Sequence, residues 1–212
     1  MRLLVGLGNP GARYERTRHN LGFMALDSIQ KSPGFRPWRA KFQGELAVAT
    51  TKAGERIFLL KPQTFMNLSG DSVGAAARLY KIEPGAIAVF HDDIDLDPGQ
   101  LRVKRGGGSA GHNGLRSIDD AIGNDYWRVR VGIGHPGARE LVEPYVLQNF
   151  ESFEMAWVTP LIEAMAEAFP LLVLDDAAGF ATKVAAILKP NPKNAPPNSS
   201  PANGGGHGPA AD

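Results

Sequence analysis

The stretch Ile87-Ala88-Val89-Phe90-His91-Asp92 is a short apolar run that passes directly into two polar residues. An apolar run of this length is typical of a strand buried in a sheet, and we expect the strand to stop at His91-Asp92. The reacting groups of α/β proteins lie beyond the carboxyl ends of such strands. The stretch therefore places a histidine and an aspartate where a functional site is expected.

Strand and helix patterns alternate along the chain on both sides of this stretch. Further strands are predicted at 3–5, 45–50, 56–60, 100–105 and 128–133, and helices at 21–29, 69–80, 115–122, 151–168 and 177–188. Lys52-Ala53-Gly54 is a predicted hairpin turn, and Ser69 is the predicted N-cap of its helix. The alternation predicts an α/β fold in a single domain, with a mixed, largely parallel twisted sheet and helices on both faces.

The composition changes abruptly after Leu188. Residues 189–212 contain six Pro, four Gly and four Asn, with no apolar side chain larger than Ala. Such a segment cannot bury enough surface to offset the entropy of ordering. We therefore expect a folded domain over residues 1–188 and a disordered tail over residues 189–212.

The overall composition excludes several classes of protein. The chain has 212 residues and no cysteine, which excludes a disulfide scaffold, a cysteine nucleophile and cysteine-ligated metal. The apolar stretch at residues 1–6 is too short for a signal peptide, and no run reaches the roughly 18 apolar residues of a membrane span. These features predict a cytoplasmic protein with no membrane partner.

The formal net charge of +1 conceals a strong asymmetry along the chain. Residues 99–139 hold 7 basic and 3 acidic side chains, whereas residues 140–188 hold 1 and 8. A solvated acidic helix near the carboxyl end would explain this distribution, and so would a functional basic face. The charge pattern alone leaves both interpretations open.

The loop after the first strand, Gly6-Leu7-Gly8-Asn9-Pro10-Gly11, matches the G-x-G-x-x-G fingerprint of dinucleotide-binding proteins. That fingerprint requires a helix that opens at the glycines and an acidic residue at a later strand end. Here Pro10 and the polar run 12–20 intervene, and Asp27 falls inside a helical pattern. We therefore prefer a glycine-shaped loop that directs Asn9 toward a ligand.

His19 follows this loop, and Asp92 is its candidate partner. A carboxylate bonded to one imidazole nitrogen fixes the tautomer and leaves the other nitrogen free to take a proton. Three loop asparagines, Asn9, Asn67 and Asn113, offer amides that bind a peptide group or a developing oxyanion. Because no serine stands in a G-x-S-x-G elbow, water activated by His19 is the expected nucleophile, acting on an amide or an ester.

Metal and phosphate motifs are incomplete in this chain. An EF-hand loop beginning at Asp93 would need Gly and Glu where Pro98 and Lys104 stand. The histidines lack the i, i+4 spacing of a helical zinc site, so no metal is expected. The loop 106–114 lacks the Lys-Ser/Thr of a Walker A motif, although glycine amides and a helix N-terminus could still hold a phosphate. For this loop taken alone, an ordinary turn with a helix cap by Asn113 is the preferred interpretation.

Six motifs, in the same order, resemble those of the bacterial peptidyl-tRNA hydrolase family. They are G-L-G-N-P-G at 6–11, Y-E-R-T-R-H-N-L-G at 14–22, T-F-M-N-L-S-G at 64–70, H-D-D-I-D-L at 91–96, G-G-G-S-A-G-H-N-G at 106–114 and R-V-G-I-G-H-P-G at 130–137. The resemblance runs from about residue 2 to 188. It implies an enzyme that cleaves the ester between an N-blocked peptide and tRNA, without metal or cofactor.

The resemblance also implies roles for individual residues. His19 matches the general base, Asp92 its partner, and Asn9 the residue that distinguishes blocked from free aminoacyl-tRNA. The implied substrate contacts are Tyr14, Phe65, Met66, Asn67, His112 and Asn113, and the implied tRNA phosphate contacts are Lys104 and Arg130. The chain departs from many members at Ser109-Ala110, where they have His-Gly, and at Asp93, where they have Glu.

Two other functions stay open from the sequence alone. One is a non-enzymatic RNA-binding relative with the same fold, and the other is a dinucleotide-binding oxidoreductase. The intact set of His19, Asp92 and the asparagines argues against the first, and the interrupted glycine fingerprint argues against the second. The expected partner is peptidyl-tRNA, with no obligate protein partner and a monomeric state.

Overall fold

The computed structural model of the protein describes residues 1–189. The tail predicted over residues 189–212 lies outside this range, apart from Lys189. Within the described range the chain forms one mixed α/β unit.

The centre of the fold is a seven-stranded sheet with the strand order β2-β3-β4-β1-β5-β7-β6. Strands β4, β1, β5 and β7 are parallel to one another, whereas β3 pairs antiparallel with β2 and β4, and β6 pairs antiparallel with β7. The predicted mixed, largely parallel sheet is confirmed. The strands are β1 (Arg2–Gly6), β2 (Arg39–Lys41), β3 (Gly44–Thr50), β4 (Arg56–Pro62), β5 (Ile87–Asp93), β6 (Leu101–Arg105) and β7 (Trp127–Gly132).

Helices cover both faces of this sheet, as predicted. They are α1 (Leu21–Gln30), α2 (Ser69–Tyr80), α3 (Asn113–Ile122), α4 (Val142–Val146), α5 (Met155–Val173) and α6 (Ala177–Leu188). Because successive strand residues point to opposite faces, Leu4 packs in a core with α1, α5 and α6, while Leu3 and Val5 pack in a core with α2 and α3.

The structure corrects the sequence predictions at several element ends. Strand β5 continues through Asp93 because its ladder with β7 extends to the Asp93–Gly132 pair. Ser69 is not the N-cap of α2, since its hydroxyl donates back to the Met66 carbonyl. Strand β2 and helix α4 were not predicted, because each is too short to show a periodic pattern.

Helix α5 is long and apolar enough to span a membrane by length and composition alone. Half of its most apolar stretch is buried, and the helix packs against α1 and α6. Its apolar character is therefore accounted for by its place in the core of the fold.

Two glycines let α1 approach the end of β1 closely. A Cβ on Gly6 would lie 2.3 Å from the Gly22 carbonyl oxygen, and a Cβ on Gly22 would lie 2.4 Å from the Leu7 nitrogen. Both distances are far below any contact that a real Cβ makes. Because both residues are glycine, the start of α1 can lie against the loop that carries Asn9. His19 and Asn20, which directly precede α1, lie there as well.

The departure at Ser109-Ala110 has a structural consequence. Ala110 has a φ of 47°, in the left-handed region that favours glycine. A non-glycine residue there costs about 1–2 kcal/mol of backbone strain.

We predict that Ala110→Gly stabilises the protein. Relief of the strain exceeds the added chain entropy of glycine, so the free energy of unfolding should rise by about 0.5–1 kcal/mol in chemical denaturation. Ala138→Gly is the matched control, because Ala138 is also an exposed loop residue but has an ordinary φ of −126°. Stabilisation by Ala138→Gly as large as that by Ala110→Gly would contradict the strain argument.

Candidate active site

An open cleft lies beyond the carboxyl ends of β1 and β5, where the chain reverses its direction across the sheet. It encloses about 1360 Å³, more than the roughly 300–1,000 Å³ of a pocket for a drug-sized ligand. Ten of the eleven residues predicted for the site line it: Asn9, His19, Phe65, Met66, Asn67, Asp92, Lys104, His112, Asn113 and Arg130. The size suits part of a macromolecule.

His19 and Asp92 form the hydrogen-bonded pair that the sequence predicted. The Nδ1 atom of His19 lies 2.9 Å from Oδ1 and 3.0 Å from Oδ2 of Asp92. The His19 side chain is 13% exposed and that of Asp92 only 2%. With its Nδ1–H donated to the carboxylate, neutral His19 keeps the Nε2 lone pair for a proton.

The surroundings of the pair shift both pKa values. Burial by itself lowers the pKa of His19, but the charge of Asp92 and the hydrogen bond to it outweigh burial, so the pKa is raised from its ordinary value. Burial by itself raises the pKa of Asp92, but the His19 and His112 rings outweigh it, and the pKa is held far below its ordinary value. Asp92 is therefore ionised at neutral pH.

His112 is a second hydrogen-bond partner of Asp92. Its Nδ1 accepts from the backbone N–H groups of Gly114 and Leu115 at the start of α3, so His112, and not Asn113, caps this helix. An accepting Nδ1 leaves the proton of the neutral ring on Nε2, which lies 3.3 Å from Asp92 Oδ1. The helix thus fixes His112 as a donor to the carboxylate.

His91 is buried beneath this arrangement. Its Nδ1–H donates to the Asp92 carbonyl at 2.7 Å, and its ring packs edge-on against His112 with centroids 5.2 Å apart. Burial and the neighbouring His112 lower the pKa of His91 to about 3. It therefore stays neutral and adds no charge to the cleft.

The three side chains His19, Asp92 and His112 also form the cluster best suited to a metal among residues 1–189, with their candidate ligand atoms within 4.8 Å of one another. Their hydrogen bonding does not fit a metal. The Nε2 atom of His112 bears a proton because the α3 amides occupy its Nδ1, so it has no lone pair to offer. The cluster is organised as a hydrogen-bond network.

Asn9 is held by two neighbours. The Asn20 side chain accepts from the Asn9 N–H at 2.8 Å and donates to the Asn9 carbonyl at 2.9 Å. The Oδ1 atom of Asn9 accepts from the Met66 N–H at 2.9 Å. The remaining Nδ2 is therefore the donor that Asn9 offers to the cleft.

The two predicted phosphate contacts differ in their surroundings. Lys104 is exposed beside Gly107 at the rim of the cleft. Arg130 donates to Asp93 Oδ2 at 2.6 Å, and its side chain keeps 24% exposure. Asp93, to which the sequence assigned no role, thus holds Arg130 in place.

The structure does not bring Tyr14 into the cleft. Its hydroxyl accepts a hydrogen bond from Arg13, whose guanidinium lies 4.5 Å from the ring centroid. The turn at residues 12–14 is an outer part of the Asn9 loop. A substrate contact by Tyr14 stays a prediction.

The dinucleotide interpretation is not supported by the geometry. The glycine loop leads into short turns, and the first α-helix opens only at Leu21. Asp27 lies on that helix and pairs with Lys61 at 2.6 Å, so it is not placed to bind a ribose at a strand end. The fingerprint match at residues 6–11 is accidental.

Sequence reasoning missed the residues that hold the site residues in place. Asn20 binds Asn9, Asp93 pairs with Arg130, and Arg18, the residue before His19, pairs with Glu154. Asn20 and Arg18 flank His19 in the chain, which was the one signal available for them. Their partners are distant in sequence, and no local pattern indicates such contacts.

Comparisons with known proteins match nearly the whole chain to one family. Residues 3–193 match the family model described as Peptidyl-tRNA hydrolase. The peptidyl-tRNA hydrolase of Rhodospirillum centenum is 55% identical over 190 residues, which cover 90% of this chain and 83% of that protein. That of Bradyrhizobium diazoefficiens is 56% identical over 184 residues, covering 87% and 91%.

A crystal structure of peptidyl-tRNA hydrolase from Acinetobacter baumannii superposes with a TM-score of 0.82 at 38% identity, covering 88% of this chain and 95% of that one. The family match spans nearly all of the described residues, including every residue that lines the cleft. The chain therefore belongs to the peptidyl-tRNA hydrolase family.

Proposed function

We propose that the protein hydrolyses the ester bond of peptidyl-tRNA, with His19 as the general base that activates water. The observation that carries this proposal is the His19–Asp92 pair, in which Nδ1 is bound to the carboxylate. No group among residues 1–189 forms a hydrogen bond to Nε2 of His19, and this ring lines the open cleft. The free nitrogen is thus available to a water molecule.

The reaction follows from this arrangement. His19 Nε2 takes a proton from water as the water oxygen bonds to the ester carbonyl carbon. The resulting imidazolium is stabilised by the ionised Asp92 beside it. When the tetrahedral intermediate collapses, the carbon–oxygen bond to the tRNA ribose breaks, and His19 returns the proton to the leaving oxygen.

Asn9 selects the blocked substrate through its hydrogen-bonding capacity. Because Oδ1 is occupied by the Met66 amide, Asn9 presents only donor hydrogens to the cleft. An N-acyl group offers a carbonyl oxygen to that donor, whereas the free amine of aminoacyl-tRNA is an ammonium with donors alone. A donor facing a donor leaves both unsatisfied, which disfavours the unblocked substrate.

The other lining residues fit the remaining parts of the substrate. Asn67 and Asn113 are exposed in the cleft, where their amides bind the peptide and the scissile carbonyl and stabilise the oxyanion. Phe65, 58% exposed, and Met66 supply apolar surface for a peptide side chain. Lys104 and Arg130 contact tRNA phosphate. His112 holds Asp92, at the wall of the substrate cleft.

The protein acts as a monomer in the cytoplasm, with peptidyl-tRNA as its partner and with no cofactor. The cysteine-free composition supports this setting. His112 Nε2 bears a proton, so only His19 and Asp92 of the three-residue cluster could bind a metal ion. This supports a reaction that needs no metal.

Replacement of His19 by alanine should abolish turnover, because it removes the Nε2 atom that takes the proton from water in the proposed reaction. Release of N-acetylated amino acid from tRNA should fall by at least about 10²-fold, while binding of tRNA stays within a few-fold. Wild-type protein should hydrolyse N-acetyl-aminoacyl-tRNA and spare the unblocked form. Retained turnover in His19→Ala would remove His19 as the base, and lack of ester cleavage by the wild type would favour a non-enzymatic RNA-binding role.

The pH profile should report the His19–Asp92 pair. Only neutral His19 accepts a proton, so kcat/KM should fall as the pH drops through the raised pKa, above the ordinary 6.5. Asp92→Asn removes the charge that raises the pKa of His19 and leaves burial, which lowers it. The acid limb should therefore move to lower pH, and the plateau value of kcat/KM should fall about 10²–10⁴-fold. Asp93→Asn is the control, because Asp93 contacts Arg130, and its acid limb should stay in place.

Removal of Lys104 should weaken tRNA binding and reduce its dependence on salt. Each phosphate contact contributes about 0.7–0.9 to the slope of log K against log salt concentration, so Lys104→Ala should lower the slope by about one unit. Lys52→Ala is the matched control, since Lys52 is also exposed but lies in the β3–β4 turn at the opposite end of the sheet. Equal slopes for Lys104→Ala and the parent would exclude Lys104 from the interface.

A further inference from the structure

Arg18, the residue directly before His19, is a buried arginine that the proposed reaction does not use. Its side chain is 6% exposed, and Nη2 lies 2.5 Å from Oε2 of Glu154, which is itself 8% exposed. Nη1 donates to the Asn149 carbonyl at 3.1 Å, and the guanidinium lies 4.4 Å from the centroid of the Tyr145 ring. The Nε atom of Arg18 has no partner among residues 1–189.

Such a pair is a poor device for stability alone. Taking two charges out of water is costly, and replacing a buried ion pair by apolar residues of similar volume often leaves a protein as stable or makes it more stable. The unpartnered Nε adds to this cost. The pair is therefore better explained by the positions of the chain segments that it holds together.

The pair joins the turn that carries His19 to one wall of the cleft. The backbone N–H of Arg18 donates to the Gln148 carbonyl at 3.0 Å, and the N–H of Phe150 donates to the Arg16 carbonyl at 3.0 Å. Val146 and Leu147, just before this segment, line the cleft. Arg18 therefore links the turn that carries His19 to the segment that forms this wall of the cleft.

His19 needs such an anchor more than its partner does. Asp92 lies in β5, a strand that pairs with β1 and β7, and its own ladder partner is Val131 of β7. His19 lies in a three-residue 3₁₀ turn, Arg18–Asn20, whose other two members are both buried. Asn20 ties the turn to Asn9 on one side, and Arg18 ties it to Glu154 on the other.

We propose that Arg18 is a positioning residue whose ion pair with Glu154 holds the His19 turn, so that the His19 ring stays in register with Asp92 and with the cleft wall. The proposal rests on the function assigned to His19. A displacement of about 1 Å in a reacting group can cost about 10²-fold in rate. The guanidinium of Arg18 has several donors in a fixed plane and stacks on the Tyr145 ring. It therefore holds the turn more tightly than a lysine ammonium would.

The test uses the full chain with Arg18→Lys and Arg18→Gln. Because lysine keeps a positive charge beside Glu154, the Arg18→Lys protein should fold. Lysine lacks the forked donors of arginine and its stacking on the Tyr145 ring. We expect kcat on N-acetyl-aminoacyl-tRNA to fall at least about tenfold with KM within about threefold for Arg18→Lys, and further for Arg18→Gln. The ¹⁵N titration of the His19 ring, measured without substrate, should move toward the ordinary imidazole value.

The matched control is Arg2→Gln. Arg2 also pairs with a carboxylate, Asp175, at 3.0 Å and donates to the Val173 carbonyl at 3.0 Å, but it lies at the start of β1, away from the cleft. Arg2→Gln should lower the thermal midpoint and leave kcat and the His19 titration unchanged.

An Arg18→Lys variant with kcat within twofold of the parent and an unchanged His19 titration would overturn the proposal, whatever its stability. If Arg18→Gln does not fold, Arg18→Lys decides alone. Activity in His19→Ala would show that His19 is not the base. The ¹⁵N titration of His19 in the Arg18 variants tests the anchoring role separately, because it needs no turnover.

Discussion

One buried carboxylate organises the functional end of this protein. Asp92 is almost fully shielded from water, yet it is ionised, because the rings of His19 and His112 both bind it. An unpaired carboxylate in that place would take up a proton instead. A sheet strand, a short turn and a helix start must therefore converge on a single side chain. The orientation of the His19 ring is a product of that convergence.

The sequence allows the sheet and the helices to be predicted from local periodicity. The rule that sites lie at strand ends made Asp92 a candidate partner of His19, and the resemblance to the family's motifs implied that the two residues pair. The extension of β5 was missed, since His91–Asp93 are polar in sequence and become strand only through pairing with β7. The Arg18–Glu154 pair joins residues 136 positions apart, and no local pattern indicates it. Tyr14 has the expected motif but packs on Arg13.

The near-zero net charge is the sum of side chains that lie on different sides of the sheet. Lys104 and Arg130 lie on the side covered by α2 and α3, whereas α5, which carries Glu163 and Glu167 and no basic residue, covers the other side. Opposite charges on opposite faces give the molecule an orientation in the field of a polyanion. A protein of balanced total charge can thus turn its cleft toward tRNA phosphates without holding the product by a large excess of positive charge.

The position of β7 in the sheet sets the order in which the site can come into being during synthesis. Strand β5 lies between β1 and β7, and β7 is made long after both. Until residues 127–132 have emerged and docked, β5 is an edge strand open to solvent and to pairing with other chains. His19 is among the first residues made, yet its partner gains a dry environment only after β7 closes the sheet. The buried form of the His19–Asp92 pair can therefore be completed only after most of the domain has been synthesised.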